Sequence, residues 1–290
     1  MRLTTPLVLS VLIATFALVA AAGGLFVRSG TGPFAFTTLR GQQAQIFGQG
    51  LYRYDTVFFG AGFKGQDAVV LFLAIPLLLI SLVWSSRGSL AGHLLFIGIL
   101  GYFLYVYASM ALGAAFNPFF LVYVAIFSAS LFAFVHTFSS LNPSSIAAQI
   151  ERLPGRGIAV FMFLAGLVTL TVWGAPLVTA LAKAAPPEKM DIYTTMVTYA
   201  LDLAIITPAT FLCAFLVLRG NPLGYALAVT LLTIILLLAP QIVLSTIFQR
   251  SAGVPFTPGE LIGPIAGFVI LGSAAAWFLF NILRTVQSPA

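Results

Sequence analysis

Two acidic residues stand in apolar stretches long enough to cross a membrane, and each is followed by a proline and then an Arg-Gly turn. Asp67 opens DAVVLFLAIPLLLISLVWSSRGSLAGH and Asp202 opens DLAIITPATFLCAFLVLRGNPLGY. A carboxylate in hydrocarbon costs several kcal/mol, so such a group faces a protein interior or water and marks an ion or proton path. Arg219 lies 17 residues past Asp202, roughly 25 Å along a helix. With Arg219 among headgroups, Asp202 sits near the opposite edge of a core of about 30 Å. Asp67, 20 residues before Arg87, reaches the same level. The plainer reading is an interfacial carboxylate in water, or a helix cap paired with a loop cation. Arg53, Lys64, Lys183 and Lys189 are the expected basic partners. Asp55, Tyr199 and Asn117 complete the candidate ligand- or ion-binding set. Tyr102, Tyr105, Tyr107 and Tyr123 line a polar cavity or, as the plainer reading, form an aromatic packing seam or interface belt.

The two stretches share one spacing. Pro76 and Pro208, Arg87 and Arg219, Gly88 and Gly220, and Gly92 and Gly224 are each separated by 132 positions, whereas the two acids are 135 apart. The prolines fall 11 residues before their arginines, about 16 Å and so near mid-membrane. Each removes a backbone hydrogen bond and predicts a kink.

Composition sets the solvent. The chain of 290 residues is 60% hydrophobic and 7% charged, with a mean hydropathy of +1.08. Soluble domains carry roughly 25% charged residues, so most of this surface must face lipid. The net charge of +6 is scattered over short loops, which fits anionic headgroups and excludes nucleic acid as a partner. One cysteine, Cys213, excludes an internal disulfide framework. His93 and His136 invite only a weak haem reading, because their depths differ and the repeat spacing sets Tyr225 opposite His93. No cofactor or metal is implied. Without a Ser-His-Asp order, an HExxH or a phosphate loop, nothing supports an enzyme.

These residues must be carried by helices. Eight spans are expected at about 6–27, 67–85, 90–112, 117–138, 157–182, 193–218, 223–248 and 261–284, separated by turn-like breaks. Ala20-Ala21-Ala22 resembles a signal-peptide cleavage site, but the apolar run is long, and it is taken as the first span. The polar, aromatic-dotted loop 28–66 is expected to lie back on the bilayer surface, with a short amphipathic piece near 55–63. Raw Lys/Arg counts leave the orientation ambiguous, with Arg2, Arg87, Arg152, Arg156, Arg219 and Arg284 against Glu151 on one side. Four of the positives on the other side lie in or beside the long first loop, however, so the short loops favour cytoplasmic termini and an eight-span topology in a prokaryotic plasma membrane. The fold class is therefore an all-α membrane protein of eight helices. It divides into a four-helix half over 1–142, with its loop, and a second over 143–290, as parallel repeats.

Two passages, LFLAIPLLLISLVWSSRGSLAGHLLFIGILGYFLYVYASMALGAAFNPFFLVYVAIFSASLFAFV and LDLAIITPATFLCAFLVLRGNPLGYALA, together with the Tyr54-Asp55 loop, resemble a widespread family of uncharacterised prokaryotic eight-span membrane proteins. The resemblance implies a family but no activity. This chain departs from the pattern in carrying only Arg219 where members have several arginines after the sixth span. Two functions remain from the sequence. One is small-solute or ion transport, channel-like, through an outward-facing site between the halves. The other is a non-catalytic sensor or assembly partner that binds a ligand through the outer loop.

Overall fold

The computed structural model describes residues 4–148 and 152–287. Arg2 and Glu151, which enter the charge count above, lie outside them. The protein is a multi-pass helical membrane protein with eight helices long and apolar enough to span a bilayer. They are α1 Thr4–Phe26, α2 Val57–Ser86, α3 Leu90–Gly113, α4 Phe120–Ser139, α5 Gly155–Ala182, α6 Val197–Leu218, α7 Pro222–Ser251 and α8 Pro258–Gln287. Ala20 and Ala21 are buried where α1 packs on its neighbours.

The second span begins ten residues before the expected start, and the amphipathic piece near 55–63 is simply its first turns. Gly60, Gly62 and Gly65 read as loop residues, yet they serve close packing. A Cβ at Gly65 would collide with the Ser245 backbone on α7. Gly62 and Gly65 let α7 come close enough for a polar ladder, while Gly60 packs on Phe47. Ser245 Oγ donates to the Gly62 carbonyl at 2.8 Å, Gln249 Nε2 to the Phe58 carbonyl at 2.9 Å and Gln241 Nε2 to Gln66 Oε1 at 3.3 Å. Steps of four on both helices keep these groups on one stripe.

Each expected proline kink takes the form of a widened turn. Pro76 and Pro208 have no N–H and their rings crowd the preceding turn. A π-helical turn over Val70–Ala74 or Asp202–Ile206 precedes each, closed by Ile75 N–H to the Val70 carbonyl and by Thr207 N–H to the Asp202 carbonyl. Each helix then ends in an Arg-Gly cap with the glycine left-handed, Gly88 at φ +81° and Gly220 at φ +64°, a conformation that favours glycine. Ser89 and Asn221 cap the next helices.

The spacing of 132 also runs through contacts. Gly92 packs on Trp84 and Ser85, and Gly224 on Leu216 and Val217. Gly98 meets Thr233 while Gly101 meets Thr230, and Gly65 meets Ser245 while Gly113 meets Val197. Adding or subtracting 132 turns each of these pairs into the other. Helices α3 and α7 pack together at the centre. One core cluster holds first-half residues plus Ile234 and Leu237 of α7. The other holds second-half residues plus Leu141 and Ala91, Leu94 and Ile97 of α3.

Residues 27–56 fold over one end of the bundle, which we term the cap face. The opposite end, bearing Arg87 and Arg219, is the arginine face. Strands β1 Phe34–Thr37 and β2 Gln43–Ile46 form an antiparallel hairpin in the cap. Phe47 and Tyr52 are buried in the protein core. The loop's aromatics are thus partly structural, not spread on the bilayer surface as expected, although Tyr54 is exposed.

Candidate functional site

Three carboxyls are buried at or near the cap end, and a tyrosine hydroxyl holds each. Asp67 is 3% exposed and accepts from Tyr52 Oη at 2.6 Å, its Oδ2 seated against Gly24 of α1. Asp202 is 7% exposed and accepts from Tyr105 Oη at 2.9 Å. The Trp173 indole N–H of α5 reaches the same carboxyl. Asp55 is 1% exposed and accepts at Oδ1 from Tyr193 Oη at 2.9 Å and from the Ala115 N–H at 2.8 Å. Its Oδ2 is buried without a partner.

The basic partners expected for Asp202 are therefore replaced by neutral donors. Arg53 lies over the Tyr54 ring at 5.0 Å and Lys189 over Phe58 at 5.6 Å. Lys64 sits 5.7 Å from the Phe47 ring and acts on Asp67 only through space. A tyrosine donor satisfies a lone pair but cancels no charge. Such a carboxyl stays poised to take up a proton or a cation.

Helix α3 stands between the two intramembrane acids. Tyr105 bonds Asp202, and Tyr102 Oη donates to Gln241 Oε1 at 2.9 Å, joining the ladder between α2 and α7. Tyr107 and Tyr123 lie within electrostatic reach of Asp67. The Tyr107 hydroxyl is buried with no hydrogen-bond partner. The Tyr123 hydroxyl faces Tyr52 and Asn117 without closing a well-formed bond to either. The tyrosines form a buried polar layer, not an interfacial belt. Asn117 also closes the turn that precedes α4, accepting from the Phe119 N–H at 2.9 Å. Tyr199 stacks on Trp173 at 4.4 Å and lines an apolar cavity of about 340 Å³ with Leu177, Pro187 and Met196.

Asp55 gathers three separate segments above the bundle. Arg40 reinforces the same junction by donating to the Asp191 and Tyr193 carbonyls at 2.6 and 2.9 Å. Burial pushes the Asp55 carboxyl up to about 7, overriding the Ala115 and Tyr193 hydrogen bonds, which favour the charged form. Burial likewise raises the Tyr193 hydroxyl, with Asp55 adding to it.

At the arginine face, His93 Nδ1 is 2.9 Å from Ser85 Oγ and Nε2 is 3.4 Å from Ser140 Oγ. It borders a cavity of about 260 Å³ with Ser86, Ser89 and Asn142. His136 lies on the exposed side of α4, so the two imidazoles do not face one haem. Among the described residues, no cluster of three His, Cys, Asp or Glu could hold a metal.

Tyr193, Trp173 and the Gln241–Ser245–Gln249 ladder escaped the sequence reading. The ladder had a signal, three polar residues at four-residue steps in an apolar helix; Tyr193 and Trp173 had none. No protein family, curated protein or solved structure matches the chain.

Proposed function

We propose that this integral membrane protein transports a small solute or ion through a site between two duplicated halves. One observation carries the reading: two intramembrane carboxyls, Asp67 and Asp202, are buried on neutral donors, each at or beside a π-turn that breaks its helix. Broken helices with buried acids at a repeat interface are how membrane transporters build binding sites. The contacts exchanged by the spacing of 132 support duplication, with α3 and α7 at the pseudo-twofold interface.

On this reading the cap face is outside. Arg87, Arg219, Arg284 and both termini are cytoplasmic, in a prokaryotic plasma membrane, and the family is the eight-span group that the sequence resembles. Proteoliposomes challenged with sodium, potassium and chloride salts and with glycerol, followed by stopped-flow light scattering, test transport. Faster volume change than in protein-free vesicles, lost in Asp202→Asn and kept in Asp191→Asn, is expected. Vesicles indistinguishable from lipid alone for every probe would remove the proposal. Labelling of Arg219→Cys by an impermeant reagent added to intact cells would reverse the orientation.

A further inference from the structure

Helix α4 turns an unusual face to the protein interior. Tyr123, Ser130 and Thr137 follow one another at seven-residue steps, two helical turns each, and all three are buried. None of their hydroxyls has a well-formed hydrogen bond. Buried hydroxyls in native proteins are nearly always bonded, to protein or to water, so three orphans on one stripe call for a shared explanation.

The stripe connects two polar places already described. At the cap end, Tyr123 stands beside Tyr52 and within electrostatic reach of Asp67. At the arginine end, the Thr137 backbone bonds His93, and Ser140, one turn further, touches His93 Nε2. Helix α1 adds Ser10, also fully buried and unpartnered. The contact of Gly23 with Phe119 sets the antiparallel register of α1 and α4. It places Ser10, 13 residues below Gly23, about level with Ser130 to Ala133. Ser81 of α2 is fully buried as well. It lies 14 residues below Asp67, which touches Gly24 of α1, so it reaches a similar depth.

We propose that this stripe is a proton path through the first half, entering at Asp67 and leaving at His93. The inference rests on the transport reading through Asp67 and adds the proton as an ion that crosses beside the site between the halves, by a route that does not include Asp202. A proton taken up by Asp67 passes to the tyrosine layer, and each hydroxyl or water accepts one proton and releases another. His93 accepts the last and gives it to the cavity lined by Ser85, Ser140 and Asn142. One charge crosses and no covalent bond is left changed. Steps of about 10 Å along α4 exceed a single hydrogen bond, so water must complete the file. The longest apolar interval lies between Tyr123 and Ser130. It is flanked by Ala17 and Ala20 of α1 and by Ala74 at the end of the α2 π-turn, all buried small residues. Lys64 and Tyr52 act on the Asp67 carboxyl, and Tyr102, Tyr107 and Tyr123 lie within its electrostatic reach.

The test uses the full chain in proteoliposomes containing a trapped pH dye, with a valinomycin-imposed potassium potential, negative inside, as the driving force. Wild type should acidify the lumen faster than protein-free vesicles. Ser130→Ala, Thr137→Val and Asp67→Asn should each slow it roughly tenfold or more. Ser130→Thr, which keeps a hydroxyl, should restore conduction. Ser128→Ala, on the exposed side of α4, should leave it unchanged. Thr137→Val preserves shape, and a thermal melt matching wild type separates lost conduction from lost folding. Conduction at wild-type rate in folded Ser130→Ala and Thr137→Val overturns the path. Salt or glycerol flux with no proton flux also overturns it and leaves the transport reading standing; no flux of any probe removes both.

Discussion

The first half carries an unpartnered polar stripe along α4 for which α8 of the second half has no counterpart. Along α4 the buried face includes Tyr123, Ser130 and Thr137, whereas α8 buries Gly272, Ala275, Leu279, Ile282 and Val286. At the arginine face, Ser85 and His93 line a cavity in the first half. The positions 132 residues on are Val217 and Tyr225, both buried, with Tyr225 closing against Gly155. The backbone devices match, with a π-turn, a proline and an Arg-Gly cap in each half. The side chains do not.

The largest expected effect concerns the cap, which only the first half possesses. Asp55 joins that cap to the second-half loop at Tyr193, and its carboxyl is held up to about 7 by burial. Its pKa is about 3.9 when unfolded. The folded state therefore binds the proton more tightly, and its stabilising contribution is complete below pH 4. It falls by about 1.4 kcal/mol per pH unit between about 4 and 7, roughly 4 kcal/mol in all, and then levels off. Hydrogen exchange of residues 185–196 at pH 4.5 and 7.5 should show the loop loosening as pH rises. Asp55→Asn should flatten the difference, and an unchanged slope in that variant would detach Asp55 from it.

The α2–α7 and α3–α6 contacts give the next test. Gly65→Ala pushes a methyl group into the Ser245 backbone, and Gly113→Ala sets one 3.3 Å from the Val197 side chain, which can move. Overpacking against backbone should cost about 3 kcal/mol and the yielding contact less than about 1. Unfolding in mixed detergent measures both. Equal costs would mean that the two contacts differ in sequence alone.

Smaller again is the comparison of tyrosine donors. Tyr52→Phe leaves the more deeply buried Asp67 without its 2.6 Å partner and should cost about 2 kcal/mol. Tyr105→Phe leaves Asp202 the Trp173 donor and should cost about 1. Thermal melts in one detergent rank them, and the reverse order would place the more demanding acid in the second half.

Length and composition made the eight spans legible, because lipid imposes helices on any apolar segment that crosses it. The start of α2 was misplaced because Gly60, Gly62, Lys64, Gly65 and Gln66 have loop composition. The purpose of Gly62, Gly65 and Gln66, close approach and hydrogen bonding to α7, appears only when α7 is in place, and Gly60 and Lys64 instead face Phe47 of the cap. The two intramembrane acids and Asp55 were found from sequence, but their partners were not. Tyr52 lies 15 residues from Asp67, Tyr105 97 from Asp202 and Tyr193 138 from Asp55. Charge rules directed the search to lysine and arginine, whereas the buried carboxyls are held by neutral hydroxyl, indole and amide donors.

The smallest stability effect separates Asp202 from an ordinary buried ion pair. A carboxylate paired with a cation would cost several kcal/mol on neutralisation, because the cation is left uncompensated. Here the donors are Tyr105 and Trp173, and the amide oxygen of Asp202→Asn can accept from the same hydroxyl. Removing the charge also removes its desolvation cost. Asp202→Asn should then melt within about 1 kcal/mol of wild type, close to Asp191→Asn in the loop, where surface changes stay within about 0.5. The two variants should part only in flux, which falls in Asp202→Asn and persists in Asp191→Asn. A loss of several kcal/mol in Asp202→Asn would point to a cation beside the carboxyl and return the seam acid to a structural role. Equal melts with equal flux would strip Asp202 of function and leave the polar first half to carry any transport alone.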